Sequence, residues 1–176
     1  MKARRARPED AASVHRIVAH YAAQGLLLPR TEEEIREHIA RFLILVEPPA
    51  NGGKERVIGC VALEPYGPDL AEVRSLAVDP EIRGRGLGAR LLRFALAMAR
   101  RRKIARIFAV THAPEFFKRQ GFETSTRFAL PQKLERDCRV CPKERTCRLV
   151  AVIATVCPAR VVLPVLAADA KAASAL

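Results

Sequence analysis

The stretch Val78-Asp79-Pro80-Glu81-Ile82-Arg83-Gly84-Arg85-Gly86-Leu87-Gly88 decides the reading of this chain. Residues 72–78 lead into it as a strand, and Asp79-Pro80 ends that strand. After it, Leu87, Leu91, Phe94 and Met98 keep a helical stripe, and the basic run 100–103 suits the negative pole of a helix end. Three glycines in five residues lie at the junction. They let the backbone pass close to a ligand and leave its amides unobstructed. At a helix start those amides have no intrahelical partner and the dipole is positive, so a pyrophosphate is the natural guest. Arg83 and Arg85 add charge. No Gly-Lys-Ser/Thr follows, which excludes a Walker A loop, and the spacing G-x-G-x-G is not the dinucleotide fingerprint G-x-G-x-x-G.

Working outward, strands and helices alternate. Residues 2–7 read as a first strand. From Pro8 a helix follows, with Val14, Ile17, Val18 and Tyr21 at i, i+3, i+4, i+7 and Gly25 as its stop. Thr31 to Glu34 is a capping box opening a second helix with Ile35 and Ile39 on one face. Residues 42–46 and 56–63 read as a hairpin around the turn-rich 48–54. Further on, 106–111 reads as a strand, 114–120 as a short helix closed by Gly121, and 123–128 and 148–157 as the last strands. The expected organisation is one α/β domain over 1–157, followed by an Ala-rich tail over 158–176.

With 176 residues and 49% apolar composition, the chain can bury a sizeable core. No apolar run approaches the ~18 residues of a membrane span. The basic start leads into no apolar segment, so it does not read as a secretory signal. Five cysteines, an odd number, fit a reduced, cytoplasmic protein. The net charge of +12 invites an anionic partner, yet the surplus is spread along the chain and aromatics total 5% with no Trp, which argues against nucleic acid.

Arg83-x-x-Gly86-x-Gly88 resembles the acyl-CoA signature [RQ]-x-x-G-x-[GA] of the GNAT N-acetyltransferase superfamily. Glu72 to Pro80 resembles the strand that holds pantetheine in that fold, and Phe116 to Phe122 its later helix ending in G-F. A narrower stretch, Gly25-Leu-Leu-Leu-Pro29-Arg30-Thr-Glu-Glu-Glu-Ile35, is similar to the acetyltransferase domain of N-acetylglutamate synthases, as is Gly59-Cys-Val-Ala-Leu63-Glu-Pro65-Tyr66. Cys138 to Cys147 resembles a cysteine segment of their short, stand-alone versions. The resemblance implies a single GNAT domain, with a mixed, mostly antiparallel central sheet flanked by helices. It implies acetyl-CoA as co-substrate and acetyl transfer to the α-amine of L-glutamate, the first step of arginine biosynthesis. A GNAT enzyme for another small or protein amine, or a non-catalytic acyl-CoA sensor, are the other readings.

The resemblance also distributes roles. Leu76, Ala77 and Val78 would offer backbone groups to the thioester and pantetheine. Arg83, Gly84, Arg85, Gly86, Leu87 and Gly88 would hold the pyrophosphate. Glu72 matches a glutamate that serves as base in some GNAT enzymes; on an extended strand it shares a side with Arg74, Leu76 and Val78. Phe117 stands where many members carry a tyrosine acid, so water would protonate the leaving thiolate. Arg30 and Arg74 are the candidate forks for the two substrate carboxylates. His112 is a further candidate at the end of a strand. Cys138, Cys141 and Cys147, with Cys157 or Cys60 as a fourth ligand, read either as a zinc site or as reduced loop thiols. The expected partner is a small amino acid, with no membrane; monomer and homodimer are both left open.

Overall fold

The computed structural model describes residues 1–49, 53, 55–82, 84–141 and 147–157. In chain order the elements are β1 (Lys2–Arg5), α1 (Ala11–Ala23), α2 (Glu32–Glu37), β2 (Phe42–Glu47), β3 (Arg56–Pro65), β4 (Leu70–Val78), α3 (Leu87–Arg101), β5 (Arg106–Thr111), α4 (Pro114–Lys118), β6 (Glu123–Ser125), α5 (Pro131–Lys133) and β7 (Val150–Thr155). The strands form one seven-stranded sheet in the order β1-β2-β3-β4-β5-β7-β6. Every pairing is antiparallel except β4 with β5. The expected tail over 158–176, the expected turn residues 50–52 and 54, and Arg83 lie outside the described residues.

The unbroken apolar run of β2 follows from a sheet covered on both faces. Leu43 and Leu45 pack on the α3 side with Leu91, Leu92 and Ala95. Phe42, Ile44 and Val46 pack on the α1 side with Val14, Ile17, Val18 and Ile35 of α2. Side chains alternate between these two layers, as the period of a strand requires. The capping box of α2 is present: Glu34 N–H donates to Thr31 Oγ1 at 3.1 Å, and Thr31 N–H donates to Glu34 Oε2 at 2.8 Å.

Two β-bulges break the alternation, and the second shapes the site. The β3–β4 register shifts between Cys60 and Ala62, and Ser75 opposite them has φ 49°. A non-glycine residue in the left-handed region is uncommon and marks a local kink. The extra residue reverses the facing of β4. Ala71 and Val73 join the α3-side core before it, whereas after it Ala77 joins the α1-side core and Leu76 and Val78 pack on the α3 side. Glu72 and Arg74 therefore do not share a side with Leu76 and Val78, contrary to the reading of β4 as one extended strand. β4 also pairs with β5 only at Leu70–Glu72 against Arg106–Phe108. Past Glu72, β5 keeps its register with β7 while β4 parts from it. A cleft opens there along the edge of β4.

Strand β6 is shorter than expected. It ends at Ser125, and a turn closed by Ala129 N–H on Thr126 O (3.1 Å) carries the chain to Leu130. Pro131 then opens α5, which continues as a π-helical turn, Leu134–Cys138. No helix among the described residues is long and apolar enough to cross a membrane.

Candidate active site

At the start of α3 the backbone takes the conformation that the glycines permit. Gly84 has φ 85°, and Gly86, the N-cap, has φ 68°. Both values lie where side chains with a Cβ are strained. The first helical hydrogen bond runs from Arg90 N–H to Gly86 O at 3.0 Å, which leaves the amides of the preceding residues directed out of the helix end. They border a pocket of about 330 Å³ lined by Tyr21, Leu26, Val78, Gly86, Gly88 and Phe116 among others. Leu87 also lines it, with most of its side chain buried in the core. Arg85 is exposed at the rim. Of the neighbouring rings, Phe116 lines the pocket, whereas Phe117 is buried edge-on between Phe116 and Phe122, with centroids 5.2 Å from each.

Asp79 fixes the end of β4 against this loop. Its side chain is fully buried and takes hydrogen bonds from Arg16 (2.9 Å) and Arg56 (3.1 Å), while Glu81 N–H donates to Oδ1 at 3.2 Å. Burial raises its pKa, but the two guanidiniums and the amide outweigh that and hold it below the usual carboxylate range. From α1, Tyr21 Oη donates to Val78 O at 2.6 Å. The strand end, the loop and the pocket wall are thus one fixed unit.

Where β4 and β5 part, the charged side chains gather. Glu72 is buried, and its Oε2 accepts from Arg74 Nε and from Lys133 Nζ at 2.9 Å. Asp137 Oδ2 accepts from the same two cations, from Arg74 Nη2 and from the same Lys133 Nζ, the latter at 2.7 Å. Tyr66 Oη lies 2.9 Å from Glu72 Oε2 and touches Asp137 as well; having one proton, it donates to one carboxylate at a time. Burial and the two carboxylates push the Tyr66 phenol well above its ordinary range. Burial disfavours the Arg74 charge, yet Glu72, Tyr66 and Asp137 more than compensate and raise its pKa. Arg136 lies 4.3 Å over the Tyr66 ring, a cation–π contact, and reaches Glu64, which Arg41 also grips at 2.7 and 2.8 Å.

Arg30 stands in this same field under different conditions. It is half-buried, just before the capped helix α2. Burial first, and repulsion from Arg74 second, push its pKa below the ordinary value. Among the described residues no carboxylate lies within ion-pair distance of it. The structure thus places Arg30, Glu72 and Arg74 in one electrostatic neighbourhood, and the glycine loop beside the cleft. Sequence reasoning passed over Lys133, Asp137 and Arg136. Their segment is short and polar, and the signal that remained was the i, i+4 spacing of Lys133 and Asp137 after Pro131. His112 is exposed beyond β5.

The zinc expectation finds no support. Cys138, Cys141 and Cys147 are not disulfide-bonded, and among the described residues no group of three or more His, Cys, Asp or Glu side chains could hold a metal. Cys138 ends the π-helical turn, and Cys141 lies just past it in a turn closed by Cys141 N–H on Cys138 O at 3.1 Å. Cys60 is fully buried in the sheet, and burial pushes its thiol up to about 12, the behaviour of a small core residue.

A seven-stranded sheet opened between β4 and β5, with a glycine-rich helix start beside the opening, is the architecture of acyl-CoA-dependent N-acyltransferases. Residues 13–122 match the Acetyltransferase (GNAT) family, and the chain belongs to that family. It is 39% identical over 152 residues to an uncharacterized N-acetyltransferase of Chlorobaculum tepidum, covering 86% of this chain and 94% of that one. It is 35% identical over 119 residues to an amino-acid acetyltransferase of Mycobacterium tuberculosis, covering 68% and 66%. Against the amino-acid acetyltransferase of Neisseria meningitidis, 34% identical, it spans 77% of its own length but 30% of the relative's. Among solved structures it resembles N-acetylglutamate synthase from Neisseria gonorrhoeae, complexed with coenzyme A and N-acetyl-glutamate. That likeness has a TM-score of 0.76 at 28% identity and covers 89% of this chain and 35% of that one. The likeness to Rv2747 from Mycobacterium tuberculosis in complex with CoA has a TM-score of 0.73 at 27% identity, covering 88% and 99%.

Proposed function

We propose that the protein transfers the acetyl group of acetyl-CoA to the α-amine of an amino acid carrying a second carboxylate, L-glutamate above all, as in the first step of arginine biosynthesis in the cytoplasm. The observation that carries the acceptor class is Arg30. A half-buried guanidinium whose charge is disfavoured by burial and by Arg74, with no carboxylate within ion-pair distance among the described residues, suits the role of a receptor for an anion. Its nearness to Arg74 provides for two carboxylates on one molecule. Amino-acid acetyltransferases among the relatives support the same reading.

In this reading the CoA pyrophosphate lies on the amides of Arg85 to Gly88, with Gly84 in the turn before them and Arg83 adding charge. The pantetheine arm enters the gap between β4 and β5. Leu76, Ala77 and Val78 supply backbone groups along it, and an amide there holds the developing oxyanion. Phe117 closes the wall through Phe116 and offers no proton, so the thiolate leaves to water. Bound acetyl-CoA supplies the activated acyl group; the protein supplies position and charge. The amine must lose a proton to attack, and Glu72 takes it through water. Glu72 is engaged by Arg74 and Lys133 when no acceptor is present. An acceptor carboxylate would find Arg74 beside this base.

Arg30→Ala tests the acceptor assignment. It is expected to lower kcat/KM for glutamate by about 2–5 kcal/mol, as for truncation of a buried ion-pair partner, and to leave acetyl-CoA affinity measured by calorimetry unchanged. Equal glutamate efficiency in variant and parent would remove Arg30 from the site.

A further inference from the structure

We infer that Asp137 is an internal carboxylate standing in a carboxylate seat whose cations are Lys133 and Arg74, and that the acceptor's own carboxylate displaces it on binding. The inference rests on the acceptor class proposed above and adds to it a residue that selects for that class.

The cluster holds two cations and two carboxylates, but the two carboxylates are not equivalent. Glu72 lies within β4, in the ladder opposite Glu64, with its side chain 4% exposed. Asp137 reaches the same cations from outside, 27% exposed, on the last turn of a short helical segment with no strand partner. That turn is π-helical, its wide ring closed by Arg139 N–H on Leu134 O at 3.1 Å. Such turns are rare and recur at functional sites. Three residues on, Val140 is 78% exposed.

The cations, by contrast, are fixed. Lys133 is buried at the end of α5, three residues after Leu130 in the core. Arg74 sits beside the β4 bulge and is kept by Glu72. Turning Asp137 out would leave both cations on Glu72 alone. One incoming carboxylate restores the balance of charge without disturbing the sheet. Arg136 would release Glu64 and Pro65 O (2.8 Å) as the segment moves, so its contacts set how firmly the seat is held. A molecule without a carboxylate cannot repay these contacts, and Asp137 thereby discriminates against simple amines.

The test is calorimetric titration of the protein with glutarate, which carries two carboxylates and no amine, in the parent and in Asp137→Asn. An occupied seat lowers apparent affinity by the fraction of molecules in which it is free, so the variant is expected to bind glutarate about tenfold more tightly. The KM for glutamate should fall with it, while the KM for acetyl-CoA stays constant. Lys133→Gln in the Asp137→Asn background should abolish the gain. Asp137→Ser serves if the asparagine variant melts at a lower temperature than the parent. Unchanged or weaker glutarate binding in folded variants would overturn the inference and leave Asp137 as a strut for Lys133. Tighter glutarate binding without acetylation of any amino acid would leave the seat standing and bring down the acceptor reading instead.

Discussion

Glu72 stands at the last rung that β4 shares with β5, so its carboxylate marks where the two strands part. A base at that point is useful to an amine in the cleft, because the proton must go somewhere before attack on the thioester. Glu72→Gln keeps the shape and the hydrogen bond to Lys133 but cannot take the proton. Its kcat is expected to fall about 10²–10⁴-fold at neutral pH and to recover in part as pH rises and free amine accumulates. A pH–rate profile with the shape of the parent's would show that Glu72 only holds Arg74 and Lys133. At this scale the sequence was partly legible. Glu72 and Arg30 were singled out by resemblance to the family's motifs, and Arg74 as an arginine fork suited to a second carboxylate. Ser75 could not, since nothing in a serine announces φ 49°, and the bulge it creates is what turns Leu76 and Val78 away from Glu72.

Helix α3 and its glycine turn form the element on which co-substrate binding depends. Gly88 separates the ligand role from the fold. A Cβ there would come no closer than 3.6 Å to the Phe116 ring, an ordinary contact, and Ala favours a helix over Gly by about 1 kcal/mol. Gly88→Ala should therefore melt no lower than the parent, yet raise the KM for acetyl-CoA by narrowing the pocket it lines. A thermal melt with steady-state kinetics reads both, and an unaltered KM would contradict the assignment of the loop. The longer elements were legible because each has one strong period: α1 and α3 bury one stripe, and β2 is apolar throughout because both faces are covered. Residues 131–138 were not. They are mostly polar, and they hold their place through Lys133 and Asp137 meeting residues 61 to 71 positions earlier, which no local pattern encodes.

Over the whole molecule, carboxylates tie the elements together. Asp10 grips Arg4 and caps the turn after β1, Glu64 joins Arg41 and Arg136, and Asp79 joins α1 and β3 to the end of β4. Burial raises each pKa, and the guanidinium partners more than reverse it, so all three lie below their ordinary values when folded. A depressed folded pKa contributes stability that is fully present above the unfolded value and is lost as pH falls through the folded one. The melting temperature is expected to be level toward neutrality and to fall below about pH 4, which melts across pH 7 to 3 would show; a level curve to pH 3 would contradict it. The central claim is that this GNAT domain acetylates an amino acid chosen by its two carboxylates. It is tested most directly by coenzyme A release from acetyl-CoA across the twenty amino acids and a simple alkylamine. The account predicts that glutamate exceeds the others, with aspartate and glutamine behind it and amines lacking a carboxylate inactive; release driven equally well by a simple amine would contradict it.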